Sequence, residues 1–190
     1  MKKIIFLAIA FSFFQTTFAQ LSNFTLSVTK TDETCLGNGT LNFNVSGTTA
    51  GSTIIYNIYR LPDVTTPIAV LSLNTFTGLN AGTYRVVAIQ SIGALSGSQQ
   101  QEITINNLIV PLAYQIDEQD VACGQDGRIT VNVTSGNAVQ YEIFEGPIIR
   151  PLQSSNVFSN LVAGQYTVRV FNDCGEAVVQ TITILSKSTG

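Results

Sequence analysis

The chain is one pattern written twice, and that internal repeat constrains its fold more than any other feature. Residues 35–45, beginning Cys35-Leu36-Gly37, align with residues 123–133, beginning Cys123-Gly124-Gln125, at an offset of 88. Tyr56-Asn57-Ile58-Tyr59 matches Tyr141-Glu142-Ile143-Phe144 at 85. Leu79-Asn80-Ala81-Gly82-Thr83-Tyr84 matches Leu161-Val162-Ala163-Gly164-Gln165-Tyr166 at 82, and Ile103-Thr104-Ile105 matches Ile182-Thr183-Ile184 at 79. Chance would not keep four blocks in order. The falling offset places the extra residues of the first copy in loops, which tolerate insertions where strands do not.

Inside each copy the period is two. Thr40-Leu41-Asn42-Phe43-Asn44-Val45, Arg128-Ile129-Thr130-Val131-Asn132-Val133 and Tyr166-Thr167-Val168-Arg169-Val170 alternate polar with apolar, which is a strand with one buried face. Gly, Asn and Ser clusters interrupt such runs every eight to twelve residues, and after the first twenty residues no stretch has a convincing helical period. These signs predict an all-β chain of two tandem Ig-like β-sandwich modules. Strands are expected near 24–31, 39–46, 53–60, 67–72, 74–77, 82–90 and 99–106, and near 112–119, 127–134, 138–145, 148–152, 156–159, 164–172 and 177–185. The expected cores are Leu41, Phe43, Val45, Ile58, Tyr84 and Val86 in one module. In the other they are Ile129, Val131, Val133, Ile143, Tyr166 and Val168.

The block Leu-x-Ala-Gly-x-Tyr has its own physical reading. Gly82 and Gly164 let the chain turn sharply into a strand with an unusual φ. Tyr84 and Tyr166 then stand at the strand entrance with their rings inward. Each phenol can return its hydroxyl to nearby backbone, as a tyrosine corner does. Contact with a ligand is the alternative role for these tyrosines, but a residue repeated at one architectural position usually serves the architecture.

The first twenty residues are an address. Lys2-Lys3 precedes an apolar run over 4–14, and Thr17-Phe18-Ala19 puts small residues before a cleavage point ahead of Gln20. The run is shorter than the roughly 18–20 residues that a membrane span needs. The expected organisation is a signal peptide over 1–19, a first repeat over 20–107, a second over 108–186, and a tail or linker stub over 187–190. The protein is expected to be exported to the cell surface or extracellular space, or to the periplasm if the chain truly ends at Gly190. It is not expected to span a membrane.

Composition narrows the function. Histidine is absent, which removes every triad or metal site built on imidazole. The formal charge of -3 argues against a nucleic-acid partner, because nothing clusters Lys and Arg against phosphate. The only acidic cluster, Asp117-Glu118-Gln119-Asp120 with Asp126, lacks the spacing of a calcium loop. Calcium held at a loop between modules is the alternative to a solvated face. No phosphate loop or catalytic cysteine setting is present. The expectation is a non-enzyme with no catalytic, cofactor or metal site. A surface glycan or protein ligand would be recognised on the longer loops of the first copy, around 60–64 and 93–97.

The cysteine-glycine opening, the Leu-x-Ala-Gly-x-Tyr-x-Val-x-Val block and the Asp-Cys hairpin together resemble the SprB-type repeats of Bacteroidota surface proteins. The second copy carries Cys123, Gly124, Gly127, Tyr141, Leu161, Ala163, Gly164, Tyr166, Val168, Val170, Asp173 and Cys174. The first keeps Cys35, Gly39, Leu79, Ala81, Gly82 and Tyr84 but has Ile92 at the second cysteine position. The resemblance implies Ig-like modules of gliding adhesins and other secreted proteins exported by the type IX system. It therefore implies adhesion or surface architecture, or else an accessory binding module of a larger secreted enzyme or surface complex. No sorting domain follows the second copy, so a fragment of a longer surface protein is the favoured expectation.

Three cysteines in an exported chain leave one over. Cys123 and Cys174, 51 positions apart in one module, are the expected pair, with Cys35 free opposite Ile92. Strand parity leaves this open. Five strands between the two would put their sulfurs at opposite ends of an up-and-down path. Four, if 146–163 formed a single strand, would bring them together.

Overall fold

A computed structural model describes residues 21–187, and fourteen strands account for its regular structure. The expected signal peptide over 1–19 and the last three residues of the expected tail lie outside the described residues. In the first repeat the strands are β1 (Thr25–Thr31), β2 (Gly39–Ser46), β3 (Thr53–Arg60), β4 (Ala69–Leu71), β5 (Thr75–Leu79), β6 (Gly82–Ile92) and β7 (Leu95–Ile105). In the second they are β8 (Ala113–Gln119), β9 (Gly127–Ser135), β10 (Ala138–Glu145), β11 (Arg150–Gln153), β12 (Val157–Leu161), β13 (Gly164–Asn172) and β14 (Ala177–Ile184). Among the described residues no helix is long and apolar enough to cross a membrane.

The repeat seen in sequence is a repeat in topology. The first copy forms sheets ordered β1-β2-β5 and β4-β3-β6-β7, and the second forms β8-β9-β12 and β11-β10-β13-β14. Each strand of the second copy holds the place of its counterpart in the first. Alternation explains which face each strand buries. In β13, Tyr166, Val168 and Val170 point inward, and in β9 Ile129 and Val131 do the same. With Phe158, Leu161, Ile143 and Ile184 they form one continuous core drawn from both sheets of the second repeat. The chain is an all-β protein of tandem Ig-like sandwiches.

Close packing divides the described chain into two compact units. One holds 21–28, 43–74 and 85–102. In it the rings of Phe43 and Tyr56 meet with centroids 4.8 Å apart. Its one fully buried amide, Gln90, is satisfied on both sides. Oε1 accepts from Thr49 N at 2.6 Å and Ser52 Oγ at 3.1 Å, and Nε2 donates to the Ser22 carbonyl at 3.2 Å. The other unit holds 29–42, 75–84 and 103–187, so it joins the cysteine-bearing part of the first repeat to the whole of the second.

Three expectations need correction. Val133 is 38% exposed, and Val45 is only half buried. Both sit where their strand outruns its partner. The β12 pairing reaches Thr130, with one further bond from Val131 N to the Asn156 carbonyl, and the β5 pairing reaches Asn42, with one from Phe43 N to the Asn74 carbonyl. Residues beyond have no neighbouring strand on that edge to help cover them. The segment 93–97 is not a long loop either. β6 runs to Ile92 and β7 starts at Leu95, leaving Gly93-Ala94 as a tight turn with Gly93 at φ 56. Exposure alternates from here, with Ser96, Ser98 and Gln100 outward and Gly97, Gln99 and Gln101 partly covered, as a strand requires.

Candidate functional site

Cys174 is bonded to Cys35, across a sequence separation of 139, with Cα atoms 5.5 Å apart. That spacing suits a disulfide without backbone movement. The expected Cys123–Cys174 pair is therefore corrected, and Cys123 is free and exposed. Parity supplies the reason. β11 and β12 are separate strands, so five strands, β9 to β13, lie between the two residues and place them at opposite ends of the second repeat.

Both halves of the bond sit on braced backbone. Cys174 lies in the hairpin between β13 and β14, organised by buried Asn172. The Asn172 side-chain oxygen accepts from Cys174 N at 3.0 Å and from Glu176 N at 2.8 Å. Backbone bonds from Asn172 N to the Glu176 carbonyl and from Gly175 N to the Asn172 carbonyl close the turn. Cys35 lies in a short loop before β2. There Asn38 accepts from Thr34 N at 2.9 Å through its side chain, and its own N–H donates to the Cys35 carbonyl at 3.0 Å.

Glu33 anchors that loop and was not foreseen. It is 2% exposed, and its two oxygens accept from Gly37 N at 2.7 Å and Ala81 N at 2.8 Å. Its backbone bonds reach Asn106 and Leu108, so it also fixes the departure of the chain from the first repeat. The repeat alignment places Val121 at the same position in the second copy, so no period or motif marks the carboxylate. Only its place next to the Cys35 loop could have drawn notice. Beside the disulfide lies a cleft of about 320 Å³, whose lining includes Thr34, Leu108, Val110, Asn137, Asp173 and Cys174. Its walls mix apolar side chains from the connection with amide and carboxylate groups.

The two motif tyrosines serve the architecture. Tyr84 donates to the Asn80 carbonyl at 2.7 Å and Tyr166 to the Val162 carbonyl at 2.9 Å, and both rings are buried. Gly82 at φ 154 and Gly164 at φ 148 make the turn that precedes them. A Cβ at Gly164 would meet Pro147 Cγ at 2.5 Å. Burial raises the Tyr166 phenol above its ordinary pKa, and it pushes Tyr114 up to about 12. Tyr114 shares its proton between the Val168 and Val178 carbonyls, each at 3.2 Å.

The remaining candidates are dispersed. Asp126 accepts from Ala122 N and Cys123 N, and Asp120 accepts from Leu185 N, so both act on backbone. Among the described residues no three acidic or thiol groups converge on a metal position. In the 61–68 loop Asp63 accepts from Thr65 N and Thr66 N, and these bonds hold its carboxyl below the usual range. Asp32 is likewise lowered, first by its hydrogen bond from Lys30 and then by that from Asn106 N. On the outer face of the second repeat's four-stranded sheet, Arg169 pairs with Glu142. Its guanidinium lies over Phe144 at 4.7 Å and Phe171 at 5.2 Å.

No protein-family model matches the chain, and no curated protein is similar to it. Among solved structures it is similar to the three N-terminal domains of the bacteriophage RB49 Highly Immunogenic Outer Capsid protein (Hoc). The TM-score is 0.53 at 18% identity, over 86% of this chain and 59% of that one. The chain thus spans little more than half the length of the capsid protein domains it matches. An amphioxus IgVJ-C2 molecule also matches, over 84% of this chain and 96% of that one, at 14% identity and a TM-score of 0.33. The capsid-protein likeness establishes an immunoglobulin-like fold.

Proposed function

We propose that this chain is an exported, non-catalytic surface protein whose tandem Ig-like repeats serve adhesion or surface architecture. The carrying observation is the Cys35–Cys174 bond, which links the first repeat to the second covalently. Such a bond forms and persists in oxidising compartments, in keeping with the export signal read at residues 1–19. A linked pair of sandwiches suits a load-bearing spacer. The resemblance to SprB-type repeats supports this reading, and the structurally similar Hoc is by name an outer capsid protein.

The test is deletion of the gene, followed by attachment to surfaces and growth on defined nutrients. Reduced attachment with unchanged growth is expected. Turnover of a glycosidic or peptide substrate by the purified chain would overturn the reading. The Arg169, Phe144 and Phe171 face favours a second reading, an accessory module that binds a glycan or protein. Loss of ligand capture in Arg169→Ala, with folding intact, would select it.

A further inference from the structure

Cys35 and Cys123 occupy one position in two copies of the same repeat, but only Cys35 is bonded. Their surroundings share a backbone frame, although the Glu33 carboxylate has no counterpart at Val121. Glu33 donates to the Asn106 carbonyl at 3.0 Å and accepts from Leu108 N at 2.7 Å. Val121 donates to the Leu185 carbonyl at 2.9 Å and accepts from Lys187 N at 2.7 Å. Each of the two forms an isolated parallel bridge, Glu33 with Asn107 and Val121 with Ser186. The side chain of Asn38 caps Thr34 N, and that of Asp126 caps Ala122 N, both at 2.9 Å. Lys187 therefore leaves the second repeat in the bonding geometry in which Leu108 leaves the first.

The hairpin cysteine is distributed in the complementary way. The second repeat carries it as Cys174, already joined to Cys35, while the first repeat has Ile92 at that position. The two cysteine positions thus have different roles: the loop cysteine of one repeat takes the hairpin cysteine of the next. On that rule the first repeat needs only the loop cysteine, and the second needs both.

We propose that Cys123 is the open half of a further inter-repeat disulfide. Its partner is another sandwich of this kind, joined in tandem and presenting a cysteine where Cys174 stands in the second repeat. The rule already operates once in this molecule, at Cys35. In forming the bond, the Cys123 thiolate attacks a small-molecule or protein disulfide, releasing one thiol. The partner thiolate then displaces the second thiol from the mixed disulfide, so the oxidant takes up the two electrons and two protons. The proposal rests on the reading of the chain as a tandem surface repeat. Its test reads a covalent bond and not attachment, so the two can fail separately.

The experiment repeats residues 109–187 directly after Lys187, preserving the spacing of the natural junction and carrying serine at the added copy of the Cys123 position, and oxidises the product with oxidised glutathione. Peptide mapping without reduction is expected to find Cys123 linked to the hairpin cysteine of the added repeat. Cys35–Cys174 should be retained, and alkylation at Cys123 should disappear. Serine at the added hairpin position should restore that alkylation. A protease-resistant added repeat with Cys123 still alkylated would overturn the proposal. Should the added repeat not fold, Ile92→Cys in the unextended chain decides. Head-to-tail bonds from position 92 of one copy to Cys123 of another are expected, and symmetric Cys123 dimers or monomers alone would overturn it.

Discussion

Glu33 and Tyr114 are two single side chains that each tie together separate stretches of backbone. The Glu33 carboxylate is buried and takes two backbone N–H groups, one in the Cys35 loop and one in the turn that leads to Tyr84. Glu33→Ala removes both acceptors at once, and a donor left without a partner loses the full benefit of its hydrogen bond. Chemical denaturation should show a loss of about 1–3 kcal/mol. Tyr114 gives a pH dependence. Its phenol ionises near 10 in an unfolded chain and is pushed up to about 12 by burial in the fold. The folded state therefore keeps a proton that the unfolded state gives up. This contribution is fully present below about pH 10 and is lost as pH rises through about 12. Tyr56 and Tyr166, also raised by burial, act with the same sign. Denaturant midpoints should fall between these limits, and less steeply in Tyr114→Phe. At neutral pH that variant should cost about 0.5–1.5 kcal/mol, the worth of one ordinary hydrogen bond.

At the scale of the strand, one close approach recurs in both copies. Gly39 pairs with Leu79 and Gly127 with Leu161, where β2 and β9 begin. A Cβ would lie 2.6 Å from the Leu79 carbonyl oxygen in the first and 2.7 Å from the Leu161 carbonyl oxygen in the second. Gly127→Ala must push β12 away from β9 and disturb Phe158 and Leu161, both buried. Overpacking of this kind costs about 1–3 kcal/mol, and the melting temperature should drop accordingly. The strands themselves were legible because alternation is a direct projection of a one-sided core, and the tyrosine corner was legible because its glycine and ring recur at a fixed spacing. The overhanging ends of β2 and β9 were not. Val45 and Val133 continue the apolar register, and only the length of the partner strand decides whether they are covered. Glu33 was hidden for the opposite reason, since its buried carboxylate is justified by backbone donors, one of which, Ala81 N, is 48 residues away. The cysteine pairing was hidden because it depends on strand parity in 146–163, where Pro147, Pro151 and Ser154-Ser155 obscure the division into β11 and β12.

Across the molecule, the disulfide is a covalent constraint that reaches from one repeat to the other. It closes a loop of 139 residues between the first repeat's cysteine loop and the second repeat's hairpin. In the chain-entropy account, a cross-link over so long a loop stabilises by restricting the unfolded ensemble, by about 3–5 kcal/mol. Cys35→Ser and Cys174→Ser each break the same link, so their losses should agree with one another. They should also agree with the loss on reducing the natural chain, and the double variant should add nothing further. Both anchor points keep their backbone bonds without the sulfurs, through Asn38 at one and Asn172 at the other. The individual sandwiches should therefore remain folded, with unfolding shifted and not abolished. Cys123→Ser should leave stability unchanged, because its thiol is exposed and unbonded. Differential scanning calorimetry of the four variants, with and without reductant, checks all of this together. A Cys123→Ser variant as unstable as Cys174→Ser would mean that the bond had been assigned to the wrong cysteine. If instead Cys174→Ser matched the natural chain, the unfolded state would already be held compact by other means, and the link would act in geometry and not in stability.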